Sequence, residues 1–198
     1  ITHLDLPETD VRDYDSLVAA VKSHFAIIHL AWSYDEKTDH DLVDKVNPDN
    51  FLMYTNVYRA AIKAGVQRVL MASSVLADDF YHYKGEPSTL GPNRWPIPTG
   101  PYGANKTANQ MFGRYYASQG LEVVCMRIGA IREDDLPLEN PADRSIYVSH
   151  RDLVSFVQSA LGADSIPNNF GIYYVVSNNP GRKQDVSNPF GWTPQDSA

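Results

Sequence analysis

Four short apolar segments, separated by stretches with helical spacing, are the feature that most constrains the fold of this chain. The apolar segments are residues 26–31, 66–73, 121–128 and 171–177. The continuous apolar run of residues 26–31 is typical of a strand that is covered on both faces. Helical patterns are expected at residues 17–25, 50–64, 101–119 and 153–161. This alternation predicts an α/β fold with a Rossmann-like, doubly wound parallel sheet.

Several residues mark where these elements begin and end. Pro101 is suited to the first turn of a helix, and Gly65 and Gly120 are suited to the positions after helix ends. Ser149 and Asp152 resemble a capping box before the fourth helix. Residues 1–6 are predicted to form a further short strand. Residues 85–101, rich in proline and glycine, are predicted to form a long functional loop.

Composition and charge narrow the class of protein. The length of 198 residues suits one sizeable core, and 43% of the residues are hydrophobic. The net charge of −7 argues against a nucleic-acid or anionic-membrane partner. No apolar run is long enough to cross a membrane, and no signal peptide is visible at the start. A single cysteine, Cys125, indicates a reducing compartment, so we expect a soluble cytoplasmic protein. The six histidines show no metal-ligand spacing, and no metal site is predicted.

The pair Tyr102 and Lys106 is the strongest chemical signal. Because they are four residues apart on a predicted helix, their side chains lie on one face. A lysine ammonium beside a phenol favours the ionised phenol and makes it a proton acceptor. The alternative is a packing tyrosine next to a solvated lysine, since this spacing also occurs by chance.

Two further segments are predicted to lie at the same edge of the sheet. His29–Ser33 ends one predicted strand, and Ser73 and Ser74 end the next. Open α/β sheets bind ligands at the carboxyl ends of their strands. A hydroxyl donor, an activated tyrosine and a lysine together form a site suited to oxidising an alcohol. His29 itself is interpreted as a core or strand-end residue, and Asp78 and Asp79 as solvated loop acids.

Taken in order, the motifs resemble the extended short-chain dehydrogenase/reductase superfamily, also called the NAD-dependent epimerase/dehydratases. The resemblance covers nearly the whole chain. The matching stretches are Asp10-Val-Arg-Asp13, Ile28-His-Leu-Ala31, Asn50, residues 56–66, Ala72-Ser-Ser74, Tyr102-Gly-Ala-Asn-Lys106 and Arg127-Ile-Gly129.

The resemblance implies a role for individual residues. Tyr102 would be the catalytic acid/base, Lys106 would lower its pKa and bind the nicotinamide ribose, and Ser74 would hydrogen-bond the reacting oxygen. Asp5 is a possible ribose-binding acid, and an acid there favours NAD over NADP. The implied cofactor-binding residues are Asp10, Val11, Leu30, Ala31, Trp32, Asn50, Tyr102, Lys106 and Ile128.

The family also has a Gly-rich turn that holds the cofactor pyrophosphate, and this sequence contains none. The first strand, this turn and the first helix are therefore expected to lie upstream of Ile1. The prediction is one Rossmann-like NAD-binding domain over residues 1–198, lacking the first βα unit. Its small substrate-binding portion would come from about residues 75–101 and 130–198.

Within the superfamily, the chain most resembles uronate dehydrogenases and related sugar dehydrogenases, which oxidise an unactivated sugar. Residues 144–152, 173–179 and 190–197 carry this resemblance. Arg144 matches an arginine that helps hold the sugar acid, although a surface ion pair is an equal alternative. Val75 and Ala130 stand where uronate dehydrogenases have hydrogen-bonding side chains, so another aldose or a sugar phosphate is also an option. The implied substrate-binding residues are Ser33, Ser74, Val75, Ala130 and Arg144.

Two alternatives to a dehydrogenase stay open. A sugar epimerase or dehydratase of the same superfamily would use the same serine, tyrosine and lysine. A non-catalytic nucleotide-binding module, or an inert fragment, would explain the missing Gly-rich turn. In this superfamily the two long helices often pair with a second subunit, so a homodimer is expected.

Overall fold

The structure is a computed structural model that describes residues 1–33, 47–78, 90–91 and 93–198. Residues 85–89 and 92 of the predicted functional loop of residues 85–101 lie outside the described residues, as does Asp79.

A four-stranded parallel sheet forms the centre of the molecule. Its order is β1-β2-β3-β4, so each strand pairs with the next along the chain. The strands are β1 (Ala26–His29), β2 (Arg68–Ser74), β3 (Glu122–Ile128) and β4 (Phe170–Val175). The helices are α1 (Tyr14–Val21), α2 (Asp49–Ala64), α3 (Gly100–Ala117), α4 (Pro141–Ser145) and α5 (His150–Gly162). All four carboxyl ends share one edge of the sheet, because every pairing is parallel.

Helices cover the sheet on both faces, as the apolar strands predict. On one face, α1, α2 and α3 pack on Val69, Met71 and Val123 of the central strands. On the other face, Phe156 of α5 and Trp192 of the tail pack on the alternate strand residues. The α/β, doubly wound architecture is therefore confirmed.

Local signals set several helix ends. Gly65 has a φ of 75° and follows α2, in the left-handed conformation that glycine adopts without strain. The Ser149 hydroxyl accepts from the Asp152 amide at 3.0 Å and caps α5. The Asp152 carboxylate then accepts from the backbone amides of Gln195 and Asp196, which fixes the tail against the start of α5.

Two element predictions differ from the structure. Residues 1–6 form no strand, because they pair with none of the described strands, although Leu4 packs on the core. The first helix begins earlier and ends at Val21, since Asp13 caps it and Ser23 takes a positive φ. Phe25, predicted to lie on that helix, follows it and is half exposed.

Cys125 lies at the centre of β3 and has no exposed surface. Burial raises the pKa of its thiol to about 12, so the thiol is protonated at neutral pH. Over the described residues, no helix has the length and apolarity to cross a bilayer.

Candidate active site

The helix that carries Tyr102 and Lys106 is fixed directly against the carboxyl end of β2. The Lys106 ammonium donates to the carbonyl oxygen of Ala72 at 3.1 Å. The Thr107 hydroxyl donates to the carbonyl oxygen of Ala77 at 3.0 Å. These contacts place α3 beside the strand end that carries Ser74.

Gly103 allows this close approach. A Cβ at this position would overlap the carbonyl oxygen of Leu76, which also accepts from the Thr99 amide at 2.9 Å. Tyr102 precedes Gly103, and Ser74 lies two residues before Leu76. Because residue 103 has no side chain, the start of α3 that contains Tyr102 packs directly against the residues that follow Ser74.

Lys106 is buried, with an exposed fraction of 5%. Its Nζ lies 4.0 Å from the centroid of the Trp32 ring and 5.6 Å from that of Tyr102. The Trp32 and Tyr102 rings are themselves 5.0 Å apart and meet edge to face. Desolvation lowers the pKa of Lys106 to about 7. The structure thus brings Trp32, Tyr102 and Lys106 into one cluster.

His29 ends β1 and faces the same cluster. It is buried, and desolvation together with the Lys106 charge lowers its pKa to about 4. His29 is therefore neutral at pH 7, in agreement with its interpretation as a strand-end core residue.

Ser74 and Ser33 occupy the edge of the sheet at the ends of adjacent strands. Ser74 is buried, and its hydroxyl accepts from the Leu76 amide at 3.1 Å. The Asn50 side chain accepts from the Ser33 amide at 2.7 Å and donates to the Ser33 carbonyl at 2.8 Å. Asn50 thus holds the segment after β1 in place, and a contact with the cofactor stays a prediction.

The other predicted cofactor residues are spread along the sheet edge and the first loop. Leu30 and Ala31 follow β1 and are exposed, and Ile128 ends β3 and is half-buried. The Val11 carbonyl accepts from Asn56. The Asp10 carboxylate bonds to Arg12 through two nitrogens, which lowers its pKa.

The predicted substrate residues lie around the ends of β2 and β3. Val75 is buried directly after Ser74. Ala130 follows β3 and forms a parallel bridge with Tyr147, through hydrogen bonds to the neighbours of Tyr147. Arg144, in α4, is exposed and two residues before the start of that bridged segment. Arg144 is therefore attached to the carboxyl edge of the sheet, and its substrate contact stays a prediction.

A buried polar network behind the site was not predicted. The Arg127 guanidinium, within β3, donates to the Asp78 carboxylate at 3.3 Å, to the Tyr174 hydroxyl at 2.9 Å and to Gln110 at 3.1 Å. Asp78 is fully buried, so its interpretation as a solvated loop acid was wrong. Arg127 follows four apolar residues within β3, and a charged residue there was the signal for a buried partner.

Comparisons with known proteins agree with this geometry. A curated relative, the L-arabinose 1-dehydrogenase (NAD(P)(+)) of Haloferax volcanii, is 29% identical over all of this chain and 87% of its own length. The NAD-dependent glucose-6-phosphate dehydrogenase of the same organism is 27% identical over 96% of this chain and 75% of its own. A crystal structure of a mutant uronate dehydrogenase from Agrobacterium tumefaciens, complexed with NAD, superposes with a TM-score of 0.81. It is 25% identical and matches 99% of this chain and 73% of that chain.

The sequence profile of one family matches residues 1–131, about two thirds of the chain, including Ser74, Tyr102 and Lys106. Together with the fold, this match means that the chain belongs to the NAD dependent epimerase/dehydratase family.

Proposed function

We propose that this chain provides the catalytic residues of an NAD-dependent sugar dehydrogenase, which oxidises a small unactivated sugar or sugar acid. The observation that carries the proposal is the proximity of Tyr102 to buried Lys106, on a helix that is bonded to the end of the strand that carries Ser74. Relatives that act on arabinose and on glucose 6-phosphate support the substrate class.

The residues around Lys106 fit the ribose end of a nicotinamide cofactor. An ammonium has three N–H donors. Among the described residues, the Lys106 ammonium has one hydrogen-bond acceptor, the carbonyl oxygen of Ala72. The two remaining donors suit a pair of adjacent hydroxyl groups such as those of ribose. Since the sequence has no Gly-rich turn, this fit concerns the reactive end of the cofactor and not its pyrophosphate.

When bound, NAD would accept a hydride from the substrate carbon. The role of this chain is to align the substrate and move its proton. Tyr102 accepts the hydroxyl proton as the C–H bond breaks and the carbonyl forms. Lys106 favours the phenolate form of Tyr102, and the Ser74 hydroxyl donates a hydrogen bond to the reacting oxygen. The hydrogen bond from the Leu76 amide keeps the Ser74 hydroxyl at the end of β2.

The substrate pocket proposed here combines apolar and charged positions. Val75 and Ala130 offer no side-chain hydrogen bonds, whereas Arg144 is exposed and able to hold a carboxylate or phosphate by two parallel bonds. We therefore propose a small aldose, sugar acid or sugar phosphate, with NAD preferred over NADP.

The test is to purify the protein, add NAD and follow NADH absorbance with L-arabinose, glucose 6-phosphate and a uronate in turn. Sugar-dependent NADH formation with one of them is expected. Isomerised or dehydrated sugar without net NADH would replace the proposal with an epimerase or dehydratase. Absence of NAD binding in calorimetry at millimolar cofactor would replace it with a module that is not catalytic by itself.

A further inference from the structure

We infer that Gln110 is a positioning residue for the active site, joining the catalytic helix to the serine-bearing strand. The inference rests on the proposed function for its kinetic consequences, but its structural part is independent of catalysis.

Gln110 lies on the same stripe of α3 as the catalytic pair. It follows Lys106 by four residues and Tyr102 by eight, so successive turns present the three side chains to the sheet edge. Lys106 contacts the carbonyl of Ala72, and one turn later Gln110 contacts the hydroxyl of Ser73 at 2.5 Å. Two consecutive turns of α3 are thus bonded to two consecutive residues of β2, directly before Ser74.

The orientation of the Gln110 amide follows from its neighbours. A guanidinium can only donate, so the Gln110 oxygen must face Arg127, at 3.1 Å from Nη2. The amide nitrogen then faces the Ser73 hydroxyl and donates to it. Gln110 has no exposed surface, and water therefore cannot replace either bond.

The network behind Gln110 holds it in one place. Arg127 also bonds to Asp78, whose other carboxylate oxygen accepts from the Ile97 amide at 2.8 Å. Asp78 ends the short 3-10 helix that starts at Val75, next to Ser74. One buried, charge-assisted network therefore fixes β2, α3, β3, the 3-10 helix after Ser74 and the backbone at Ile97 relative to one another.

The prediction is that loss of the Gln110 bonds lets α3 shift against β2 without removing any reacting group. A misplacement of about 1 Å can reduce a rate by about 100-fold. The same shift admits water to Lys106, whose low pKa depends on burial.

The experiment compares Gln110→Met, which keeps length but removes both bonds, with Gln110→Glu, which can accept from both Ser73 and Arg127. Tyr58→Phe is the matched control, because it removes a buried 3.0 Å hydrogen bond between α2 and Asn109 of α3 that does not involve β2. The measurements are kcat and KM with the sugar that supports NADH formation, and the Lys106 titration midpoint by side-chain NMR in the cofactor-free protein. The Lys106 resonance is assigned by its loss in Lys106→Met.

For Gln110→Met we expect kcat to fall about 10- to 100-fold, with KM within about two-fold and a raised Lys106 midpoint. Gln110→Glu should restore kcat, and Tyr58→Phe should leave both kcat and the Lys106 midpoint unchanged. An unchanged Lys106 midpoint in Gln110→Met, or an equal rise in Tyr58→Phe, would overturn the inference. If Gln110→Met fails to fold, Ser73→Ala removes the same bond and must raise the midpoint. A raised midpoint in a protein that oxidises no sugar would leave the positioning role standing and refute the proposed function.

Discussion

The Lys106 ammonium lies 4.0 Å from the centroid of the Trp32 ring, so an aromatic face covers the charge that the catalytic helix brings to the sheet edge. This arrangement shields Lys106 from water while giving it a cation–π contact. Desolvation by burial nevertheless lowers the pKa of Lys106 to about 7. In the part of the chain that the structure describes, the side chains of His29, Tyr102 and Trp32 and the carbonyl of Ala72 lie around this ammonium.

Lys106 should make the stability of the cofactor-free protein depend on pH. Its pKa is about 7 in the folded chain and 10.5 as the ordinary value, so the unfolded chain binds more protons between these limits. The free energy of unfolding should therefore rise with pH from about 7 to about 10. Urea unfolding across this range would measure the rise, and Lys106→Met should remove it. Lys63→Met, at the exposed end of α2, is the control and should keep the rise.

Replacement of Tyr102 by phenylalanine should remove the proton acceptor without removing its ring. Turnover should fall by about 100- to 10,000-fold, the usual contribution of general acid–base catalysis. The affinity for NAD, measured by calorimetry, should change little. Tyr115→Phe, on the exposed side of the same helix, should keep full turnover. Normal turnover in Tyr102→Phe would refute the role assigned to the phenol.

Gly103 and Gly162 offer a matched pair of helical glycines. Gly103→Ala should reduce the free energy of unfolding by about 1–3 kcal/mol, because the new methyl group overlaps the Leu76 carbonyl. Turnover should fall as well, since α3 must move away from the Ser74 loop. At Gly162, at the end of α5, a Cβ meets nothing within 4 Å. Gly162→Ala should therefore be neutral or stabilise by up to about 1 kcal/mol, and equal effects at both positions would contradict the close-approach argument.

A homodimer through α2 and α3 stays a prediction that apolar surface supports. Phe51, Leu52, Met111 and Tyr115 lie on these helices and are exposed. Met111→Glu should convert a dimer to a monomer in sedimentation velocity, because it places a charge in the apolar contact. Val154→Glu alters a residue of similar exposure on α5, 53% against 47%, and should leave the dimer intact. A wild-type monomer at high concentration would exclude this assembly.

The sequence predicted the elements whose signals are local. The apolar strands, Gly65 after α2 and the Ser149 cap all depend on neighbouring residues, and the structure agrees with each. Residues 1–6 were predicted wrongly because a strand needs a paired partner, which no local pattern reveals.

The sequence predicted the reacting groups of the site but not the buried polar network that holds them in place. Tyr102 and Lys106 follow from helical spacing, and their contact with Trp32 depends on how α3 crosses the end of β1. Gln110, Arg127 and Asp78 come from three separate segments, so only the fold brings them together. The charged Arg127 inside β3 was the one local sign of that network.

The thiol of Cys125 can report when the central sheet of this protein opens. It is the single thiol of the chain, and it lies in the middle of the central sheet with no exposed surface and a pKa of about 12. A thiol-reactive dye should therefore modify the native protein only when β3 separates from its neighbours. The labelling rate would measure that separation directly, and a cysteine introduced on the surface would still be modified selectively.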